Sequence, residues 1–300
     1  MASISAWLVS FRLRTLPLSL STIFLGSFLA AYQNSFQWSV FILAVITTLF
    51  LQILSNLAND YGDTISGVDN QERVGPQRSL QSGTITLKQM KLAIITFVVL
   101  SFVSGIALIV VGTRGMEFSY GIFYLLLGVA AIAAAMKYTM GKNPYGYSGL
   151  GDFFVFIFFG IVGVMGTFFL HTHEISGLEF LPAISIGCFS TGVLNLNNLR
   201  DRINDKAFGK RTMVVKLGVE KAKIYHAILL GLGMLTAMIY TFLAGASIWN
   251  LIYLIAFLGI IKNIITVQKN KTPELLDPEL KKLAISTLLF SILFGLGLIV

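Results

Sequence analysis

Two short clusters of asparagine and aspartate residues lie where long apolar runs of the chain end, at residues 56–63 and 198–205. A carboxylate at a membrane boundary is costly to desolvate, so it is uncommon unless it pairs with a cation or takes part in chemistry. If each cluster is helical, three of its side chains share one face. These are Asn56, Asp60 and Asp63 in the first cluster and Asn198, Asp201 and Asp205 in the second.

Two oxygen-rich faces at the edge of a membrane predict a site for a hard divalent cation, most often Mg²⁺ bridging carboxylates to a phosphate. The four aspartates of these faces are therefore assigned to Mg²⁺ and to catalysis, and the two asparagines support them. The alternative, solvated charges at helix ends, suits a single aspartate better than two matched stripes. Cys188 is the only cysteine, which excludes a disulfide within the chain and a cysteine-ligated metal site.

The composition is that of a helical membrane protein. Mean hydropathy is +0.80, and 55% of the residues are hydrophobic while 12% are charged, which excludes an ordinary soluble domain. Continuous apolar runs of about 20 residues cross a bilayer as helices, whereas a β-barrel needs short alternating segments. We predict an all-α integral membrane protein, a single domain over residues 1–300, with nine transmembrane helices. Their predicted bounds are 16–33, 38–58, 90–112, 118–137, 150–170, 178–198, 223–243, 248–268 and 282–300.

The basic residues lie on one side of this predicted bundle. With a cytoplasmic N-terminus, all of the 22 lysines and arginines except Arg114 fall in cytoplasmic loops or at the cytoplasmic ends of spans. This is a strong positive-inside asymmetry. It accounts for the net charge of +8 without a nucleic-acid partner. It also predicts a multi-pass protein of the cell membrane whose carboxylate clusters face the cytoplasm.

Basic residues accompany each carboxylate cluster. Arg73 and Arg78 follow the first cluster, and Arg200 and Lys210 lie within or after the second. Carboxylates that hold a metal, together with arginine and lysine side chains that bind phosphate oxygens, are the components of a magnesium–diphosphate site. Arg78, Arg200 and Lys210 are therefore candidate diphosphate ligands. The positive-inside rule alone accounts for most of these residues individually, and that alternative stays open.

The segment from Lys137 to Asp152 connects the fourth and fifth predicted spans. Its glycines and its proline indicate a tight, shaped connection. Lys137 is a further candidate for phosphate, and Asp152 is a candidate site residue. Tyr138 and Tyr147 are candidates for an aromatic pocket, with an interfacial belt of tyrosines as the alternative.

The two clusters are also related by their positions in the chain. Asp60 and Asp201 are four predicted spans apart, which suggests a duplicated four-helix unit with one additional helix and a site between the halves. The two longest predicted cytoplasmic loops directly follow the clusters, and long loops are usually functional. We therefore predict an active-site cavity at the cytoplasmic side of the bundle.

Five motifs occur along the chain: Arg14-Thr-Leu-Pro17, Asn59-Asp60-Tyr-Gly-Asp63, Gly75-Pro-Gln-Arg78, Tyr147-Ser-Gly-Leu-Gly151-Asp152 and Asn197-Asn198-Leu-Arg200-Asp201. Together they resemble the intramembrane prenyltransferases of the UbiA superfamily, over essentially the whole chain. Within it they resemble the branch that prenylates 1,4-dihydroxy-2-naphthoate in menaquinone synthesis. The spacing of the first motif, Asp60-x-x-Asp63, departs from the superfamily's usual Asp-x-x-x-Asp, and Asp152 stands where glutamate is common in this branch.

The resemblance implies Mg²⁺-dependent transfer of a polyprenyl group from an allylic polyprenyl diphosphate to 1,4-dihydroxy-2-naphthoate. Diphosphate and CO₂ leave, and demethylmenaquinone results. Two alternatives stay open: another aromatic acceptor, such as 4-hydroxybenzoate or homogentisate, and a secondary transporter of an anionic or lipid-linked substrate. The gathering of charge at one membrane face opposes the transporter. The implied substrate-binding residues are Asn56, Asn59, Arg78, Lys137, Tyr138, Tyr147, Asp152, Asn198, Arg200 and Lys210.

Overall fold

The computed structural model describes residues 2–70, 74–245 and 247–300. Within these ranges the chain is helical and contains no β-strand. Arg73, one of the candidate cations, lies outside the described residues. The α-helices are α1 (Ile4–Phe11), α2 (Leu16–Tyr32), α3 (Trp38–Ile65), α4 (Leu87–Gly112), α5 (Phe118–Lys137), α6 (Gly151–Val155), α7 (Gly166–Thr172), α8 (Phe180–Ala207), α9 (Met213–Leu217), α10 (Val219–Leu243), α11 (Leu254–Lys269) and α12 (Asp277–Ile299).

In the part of the chain that the structure describes, nine helical stretches are long and apolar enough to cross a membrane. This confirms the predicted all-α membrane protein with nine spans. The physical reason is that a bilayer offers no hydrogen-bond partners, so an apolar run of that length satisfies its own backbone as a helix. The stretches are Ile4–Tyr32, Trp38–Ile65, Leu87–Gly112, Phe118–Lys137, Gly151–Thr172, Phe180–Ala207, Val219–Leu243, Ile248–Lys269 and Pro273–Ile299.

Most of the helical stretches extend beyond their predicted bounds, and the first, second, sixth and ninth do so by the largest amounts; the ninth begins at Pro273 and not at residue 282. The first begins at Ile4 and not at residue 16, because the chain is already helical in α1. Helix α3 continues to Ile65 and α8 continues to Ala207, so both carboxylate clusters lie inside helices. The helical geometry expected for the clusters is therefore confirmed, whereas the four-helix repeat stays a prediction.

The first span is broken at Arg12, between α1 and α2. Arg12 has φ of 50°, in the left-handed region that a non-glycine residue rarely adopts. A short 3₁₀ turn over Leu13–Thr15 then leads into α2. Pro17 occupies the first turn of α2, where a missing backbone N–H does no harm. The break places Arg12 and Arg14 at the same end of the bundle as the carboxylate clusters, as their contacts described below show.

Two groups of buried apolar side chains hold the helices together. The larger group joins α2, α8, α10, α11 and α12 and contains aromatic residues such as Phe189, Tyr253 and Phe290. The smaller group joins α1, α3 and α4 through residues such as Leu54 and Met90. The helix that carries the first carboxylate cluster and the helix that carries the second therefore belong to different packing groups, and a cavity lies between them.

The fifth span departs from α-helical geometry in its middle, where Phe156–Met165 forms a π-helix. Such wide turns are rare and often occur at functional sites. Gly160 allows this segment to approach α8 closely, because a Cβ at this position would lie 2.8 Å from both the Ala183 carbonyl oxygen and the Gly187 Cα. The segment contributes Phe158, Phe159 and Val162 to the cavity wall.

Candidate active site

The two carboxylate clusters meet at Lys210. Its Nζ lies 3.5 Å from Asp63 Oδ2 and 3.8 Å from Asp205 Oδ1. The same ammonium lies 5.3 Å from the centroid of the Tyr147 ring, and the residue is only 6% exposed. The structure thus brings one carboxylate of each cluster to a shared, buried cation.

Tyr147 completes this group by fixing Asp63. Its hydroxyl donates to Asp63 Oδ1 over 2.7 Å and lies 2.6 Å from Ser66 Oγ, while its carbonyl accepts a hydrogen bond of 2.9 Å from the Arg211 backbone. The loop from Lys137 to Asp152 is therefore tied to the first cluster and to the segment that follows the second. Tyr147 was expected to position an aromatic substrate, but the structure places it against Asp63 and Lys210 and not among the cavity-lining residues.

The protonation states in this group follow from burial and charge. Burial alone would lower the pKa of Lys210, but the carboxylates of Asp63 and Asp205 outweigh it and raise that pKa above its ordinary value. Burial also raises the pKa of Tyr147, and the Asp63 charge adds to the effect. Lys210 is therefore a cation and Tyr147 a neutral hydrogen-bond donor at physiological pH.

The other two aspartates are each paired with arginine. Asp60 is fully buried and forms ion pairs with Arg12 and Arg78, whose Nε lies 3.4 Å from Asp60 Oδ1. Asp201 accepts hydrogen bonds of 2.8 and 2.7 Å from Arg200. The four aspartates therefore do not form one compact cluster. Among the described residues, no three acidic, histidine or cysteine side chains are grouped closely enough to hold a metal ion.

Arg200 has a different place from the one expected. Its guanidinium is fully buried and donates to Asp201, to Asn197 Oδ1 over 2.9 Å and to Asp277 Oδ1. Arg200 does not line the cavity, and its guanidinium is bonded to three neighbouring side chains, so its expected role as a diphosphate ligand stays a prediction. Arg200 holds Asp201 in position.

Asp277, at the start of α12, links this arginine to the first span. One of its oxygens accepts from Arg200, and both accept from Arg14 Nη1 at 3.1 and 3.0 Å. Asp277 could not be recognised as a site residue from the sequence, because a single aspartate before an apolar helix is also a common helix-start residue. Its partners come from α8 and from the turn before α2, and no spacing in the chain indicates that they meet.

A cavity of about 390 Å³ extends from the carboxylate clusters into the bundle. On α3 it is lined from Asp63 at one end to Ala44 at the other, a separation of roughly 28 Å at 1.5 Å per residue. This is nearly the thickness of the hydrocarbon core of a bilayer. The far end is apolar, with Leu108, Ile109 and Leu170 in its wall.

The polar end of the cavity contains most of the predicted site residues, but the helices are turned slightly from the expected faces. Asn59 and Asn197 line the cavity, whereas Asp60 and Asn198 do not. Asp60 is turned toward Arg12 and Arg78, and Asn198 is buried in the bundle. The predicted residues that do line the cavity are Asn56, Asn59, Asp63, Arg78, Tyr138, Asp201, Asp205 and Lys210.

Two further predicted residues lie away from the cavity. Lys137 is exposed at the end of α5, so its side chain projects from the outside of the bundle. Asp152 is buried, and its carbonyl accepts a hydrogen bond from Thr191 on α8. Asp152 thus connects the fifth span to α8, and it does not line the cavity.

A row of aromatic rings lines one side of the cavity. Tyr138 packs edge-on against Tyr145 at 5.4 Å between centroids, Tyr145 lies 4.2 Å from Phe154, and Phe154 stacks on Phe158 at 6.3 Å. All four residues line the cavity. Tyr138 was predicted as a site residue. The other three were missed, since an aromatic residue in a membrane span is more often buried in packing or turned to lipid.

The donors at the polar end have the chemistry that Mg²⁺ prefers. Carboxylate and amide oxygens are its usual protein ligands, and Asn59, Asp63, Asp201 and Asp205 all line the cavity. Asn59 Oδ1 is buried and accepts no hydrogen bond from the described residues. A buried acceptor without a partner is costly, and a cation would satisfy it.

The fold and the site define a helical membrane protein with paired carboxylate clusters at one end of a deep cavity. A model of the UbiA prenyltransferase family matches residues 19–277. The chain therefore belongs to the UbiA prenyltransferase family. It is 42% identical to the 1,4-dihydroxy-2-naphthoate octaprenyltransferase of Haemophilus influenzae, covering 98% of this chain and 96% of that protein. The enzyme of the same description from Escherichia coli is also 42% identical, over 98% and 94% of the two chains.

Solved structures share the fold. A UbiA homolog from Aeropyrum pernix superposes with a TM-score of 0.70, at 18% identity over 96% of this chain and 98% of that one. A UbiA homolog from Archaeoglobus fulgidus, bound to GPP and Mg²⁺, gives a TM-score of 0.62 at 18% identity over 98% and 99%. At this identity the likeness shows a shared fold.

Proposed function

We propose that this protein transfers a polyprenyl group from a polyprenyl diphosphate to 1,4-dihydroxy-2-naphthoate. The observation that carries the proposal is the cavity itself. Its polar end joins the carboxylates of both clusters, and its apolar remainder runs for nearly the thickness of a bilayer. A diphosphate and a long hydrocarbon tail need these two environments in this arrangement. The names of the two relatives at 42% identity support the same acceptor.

Asn59, Asp63, Asp201 and Asp205 are the cavity-lining residues that would hold Mg²⁺. Asp60 Oδ2 is buried and has no hydrogen-bond partner among the described residues. Asp60, next to Asn59 in the chain, therefore stays a candidate Mg²⁺ ligand as well. When bound, Mg²⁺ neutralises the charge that develops on a departing diphosphate. The Mg²⁺ in the Archaeoglobus fulgidus homolog supports this choice of metal.

The cations at the polar end orient the diphosphate. Arg78 and Lys210 line the cavity, and each lies beside a carboxylate of the first cluster. Donors that are already fixed by ion pairs need no rearrangement when negative charge develops on the leaving group, which is the basis of electrostatic preorganisation. Tyr147 and Arg200 act indirectly. Tyr147 holds Asp63 in position and Arg200 holds Asp201, each through hydrogen bonds.

The acceptor ring lies against the aromatic row. Tyr138, Tyr145 and Phe154 present faces and edges on which a flat bicyclic ring packs favourably. The surrounding helices keep water from the allylic carbon while the bond to diphosphate breaks. The ring then forms the new bond to that carbon and loses CO₂. The overall equation gives diphosphate, CO₂ and the quinol form of demethylmenaquinone, and it needs no oxidant; formation of the quinone is a separate two-electron oxidation outside this reaction.

The site faces the cytoplasm in this proposal. Arg12, Arg14, Arg78 and Lys210 all lie at the end of the bundle that carries the carboxylate clusters. Clustered lysine and arginine mark the cytoplasmic side of a membrane protein. A water-soluble aromatic acid made in the cytoplasm would then reach the cavity without crossing the bilayer.

The choice of acceptor tests the proposed function. With purified protein, a polyprenyl diphosphate and Mg²⁺, we expect 1,4-dihydroxy-2-naphthoate to react at least about tenfold faster than 4-hydroxybenzoate or homogentisate, because a site shaped to a bicyclic ring loses stacking and contact with a smaller one. Chromatography of the prenylated product and trapping of CO₂ measure the reaction. Faster turnover of 4-hydroxybenzoate, or a product that keeps its carboxyl group, would refute the assignment.

Asp277 is expected to act as a positioning residue for diphosphate binding. Arg14 lines the polar end of the cavity, and we propose that it binds the diphosphate together with Arg78 and Lys210. Asp277→Asn removes the charge that holds Arg14 there, so the KM for the polyprenyl diphosphate should rise by roughly tenfold, the effect of about one lost charge-assisted contact. The value of kcat should change much less, because Arg200 keeps both of its direct hydrogen bonds to the proposed Mg²⁺ ligand Asp201 in this variant. Steady-state kinetics measure both constants, and Asp277→Glu is the matched control that should restore the KM. An unchanged KM in Asp277→Asn would show that Arg14 does not need this partner.

A further inference from the structure

A second cavity lies outside the site described above, at the same end of the bundle. It measures about 280 Å³ and forms where α8, α10 and α11 come together beside the turn that precedes α12. Its apolar wall consists of Leu199, Val267 and Leu276, each no more than 3% exposed. None of its lining residues lines the larger cavity.

The polar wall of this second cavity is mainly cationic. Arg202, Lys223 and Lys271 line it, against the single carboxylate of Glu220. Lys223 is 8% exposed, and its Nζ lies 3.4 Å from Glu220, whose side chain is 83% exposed. A carboxylate in water neutralises a buried ammonium only weakly. The second cavity therefore keeps a positive charge on a buried wall.

Hydrogen bonds fix the Arg202 guanidinium and the backbone at Lys223. Arg202 Nη1 donates to the Leu199 carbonyl over 2.6 Å, which fixes the guanidinium along α8. The Lys223 carbonyl accepts a hydrogen bond of 2.8 Å from Gln268, which ties α10 to α11. The spacing of Arg202 and Lys223 is therefore set by packed helices and not by a loose loop, as a preformed binding site requires.

The position of the second cavity indicates which class of ligand it binds. It lies at the ends of three membrane spans, where phospholipid head groups lie in a bilayer. A basic pocket between spanning helices is suited to an anionic head group, because lysine and arginine bind phosphate oxygens. Exposed apolar residues of the same helices, among them Ile224 and Ile228 on α10 and Ile265 on α11, supply a surface for acyl chains.

We propose that the second cavity is a binding site for the phosphate of an anionic phospholipid. The lipid lies against α10 and α11 at the end of the bundle that carries the carboxylate clusters. Its negative charge compensates Arg202, Lys223 and Lys271, and its acyl chains cover the apolar surface beside them. This site is separate from the proposed reaction, so its presence does not depend on which acceptor the protein prenylates.

The test compares the full-length protein in nanodiscs of phosphatidylcholine with and without phosphatidylglycerol. A ligand that binds only the folded state raises the unfolding midpoint, and we expect a rise of roughly 5 °C with phosphatidylglycerol. The variant Arg202→Gln/Lys271→Gln should lose most of this rise, whereas Arg202→Lys/Lys271→Arg should keep it. The matched control is Lys262→Gln/Lys269→Gln, because both lysines are exposed on α11 and neither lines the second cavity.

Native mass spectrometry counts the retained phosphatidylglycerol molecules as an independent readout. We expect one fewer in Arg202→Gln/Lys271→Gln and also in Lys271→Gln alone, a change at an exposed residue that leaves the fold intact. Equal lipid counts in the cavity variants and wild type would overturn the proposal, as would an equal loss in the control variant. Inorganic phosphate in phosphatidylcholine nanodiscs should give no rise; an equal rise would assign the site to a soluble anion and refute the lipid.

Discussion

Replacing either Asp63 or Asp205 with asparagine is expected to lower the rate of prenyl transfer by about 10³-fold or more. These are the two carboxylates that lie 3.5 and 3.8 Å from Lys210 Nζ, one from each cluster. Each substitution removes a proposed Mg²⁺ ligand and leaves Lys210 with a single carboxylate partner. In the double variant the rate should fall little further, because groups that act as one unit are strongly non-additive.

Diphosphate release from a polyprenyl diphosphate in the presence of acceptor measures these rates. Glu274→Gln is a suitable control, since Glu274 is an exposed carboxylate in the turn before α12 and lines neither cavity. The variants must also be recovered from membranes in amounts similar to wild type, which separates loss of chemistry from loss of folding. A rate within tenfold of wild type for either single variant would show that the two clusters do not act as one site.

Removal of divalent metal is expected to reduce turnover by at least about 10²-fold, and Mg²⁺ should restore it. The reason is the balance of charge at the polar end. Arg12 and Arg78 pair with Asp60, Arg200 pairs with Asp201, and Lys210 lies between Asp63 and Asp205. These cations are already matched by carboxylates, so little positive charge is left for a diphosphate.

The metal requirement can also be measured without turnover. Inorganic diphosphate should raise the unfolding midpoint of the protein when Mg²⁺ is present and have little effect after EDTA treatment, because ligand binding to the folded state stabilises it. Asp63→Asn should abolish the rise, and Glu274→Gln should retain it. Full turnover in metal-free buffer would contradict the proposed role of the carboxylates.

The membrane architecture could be predicted because one physical constraint dominates it. The thickness of the hydrocarbon core sets the length of a span, and the nine apolar runs are long and uninterrupted. The bounds failed where polar residues extend a helix beyond the apolar run, as at Ile65 and Ala207. Hydropathy measures where a chain is soluble in lipid, and it carries no information on where helical hydrogen bonding stops.

The site could be predicted to the level of a helix and, in part, of a helix face: Asn56, Asp63, Asp201 and Asp205 line the cavity, whereas Asp60 and Asn198 on the same predicted faces do not. Residue types and spacing indicated that residues 56–63 and 198–205 belong to it, and the structure joins them at Lys210. Asn59 and Asn197 face the cavity because of how α3 and α8 are rotated about their axes. That rotation depends on the residues that pack against each helix. For α3 this is Arg12, in a left-handed conformation, and for α8 it is Asp277 with Arg200. Such contacts join residues far apart in the chain, and a single sequence gives no signal for them.

The contact between Arg200 and Asp201 bears on how α8 enters the bilayer during synthesis. A lone arginine in a spanning helix costs up to about 3 kcal/mol to insert. Here the next residue of the same helix already accepts two hydrogen bonds from the guanidinium. Arg200 and Asp201 therefore enter the membrane as a nearly neutral ion pair. Asp277 follows 77 residues later. The nascent chain can therefore insert α8 before α12 is made. When α12 inserts, Asp277 adds its contact to Arg200 and completes the site.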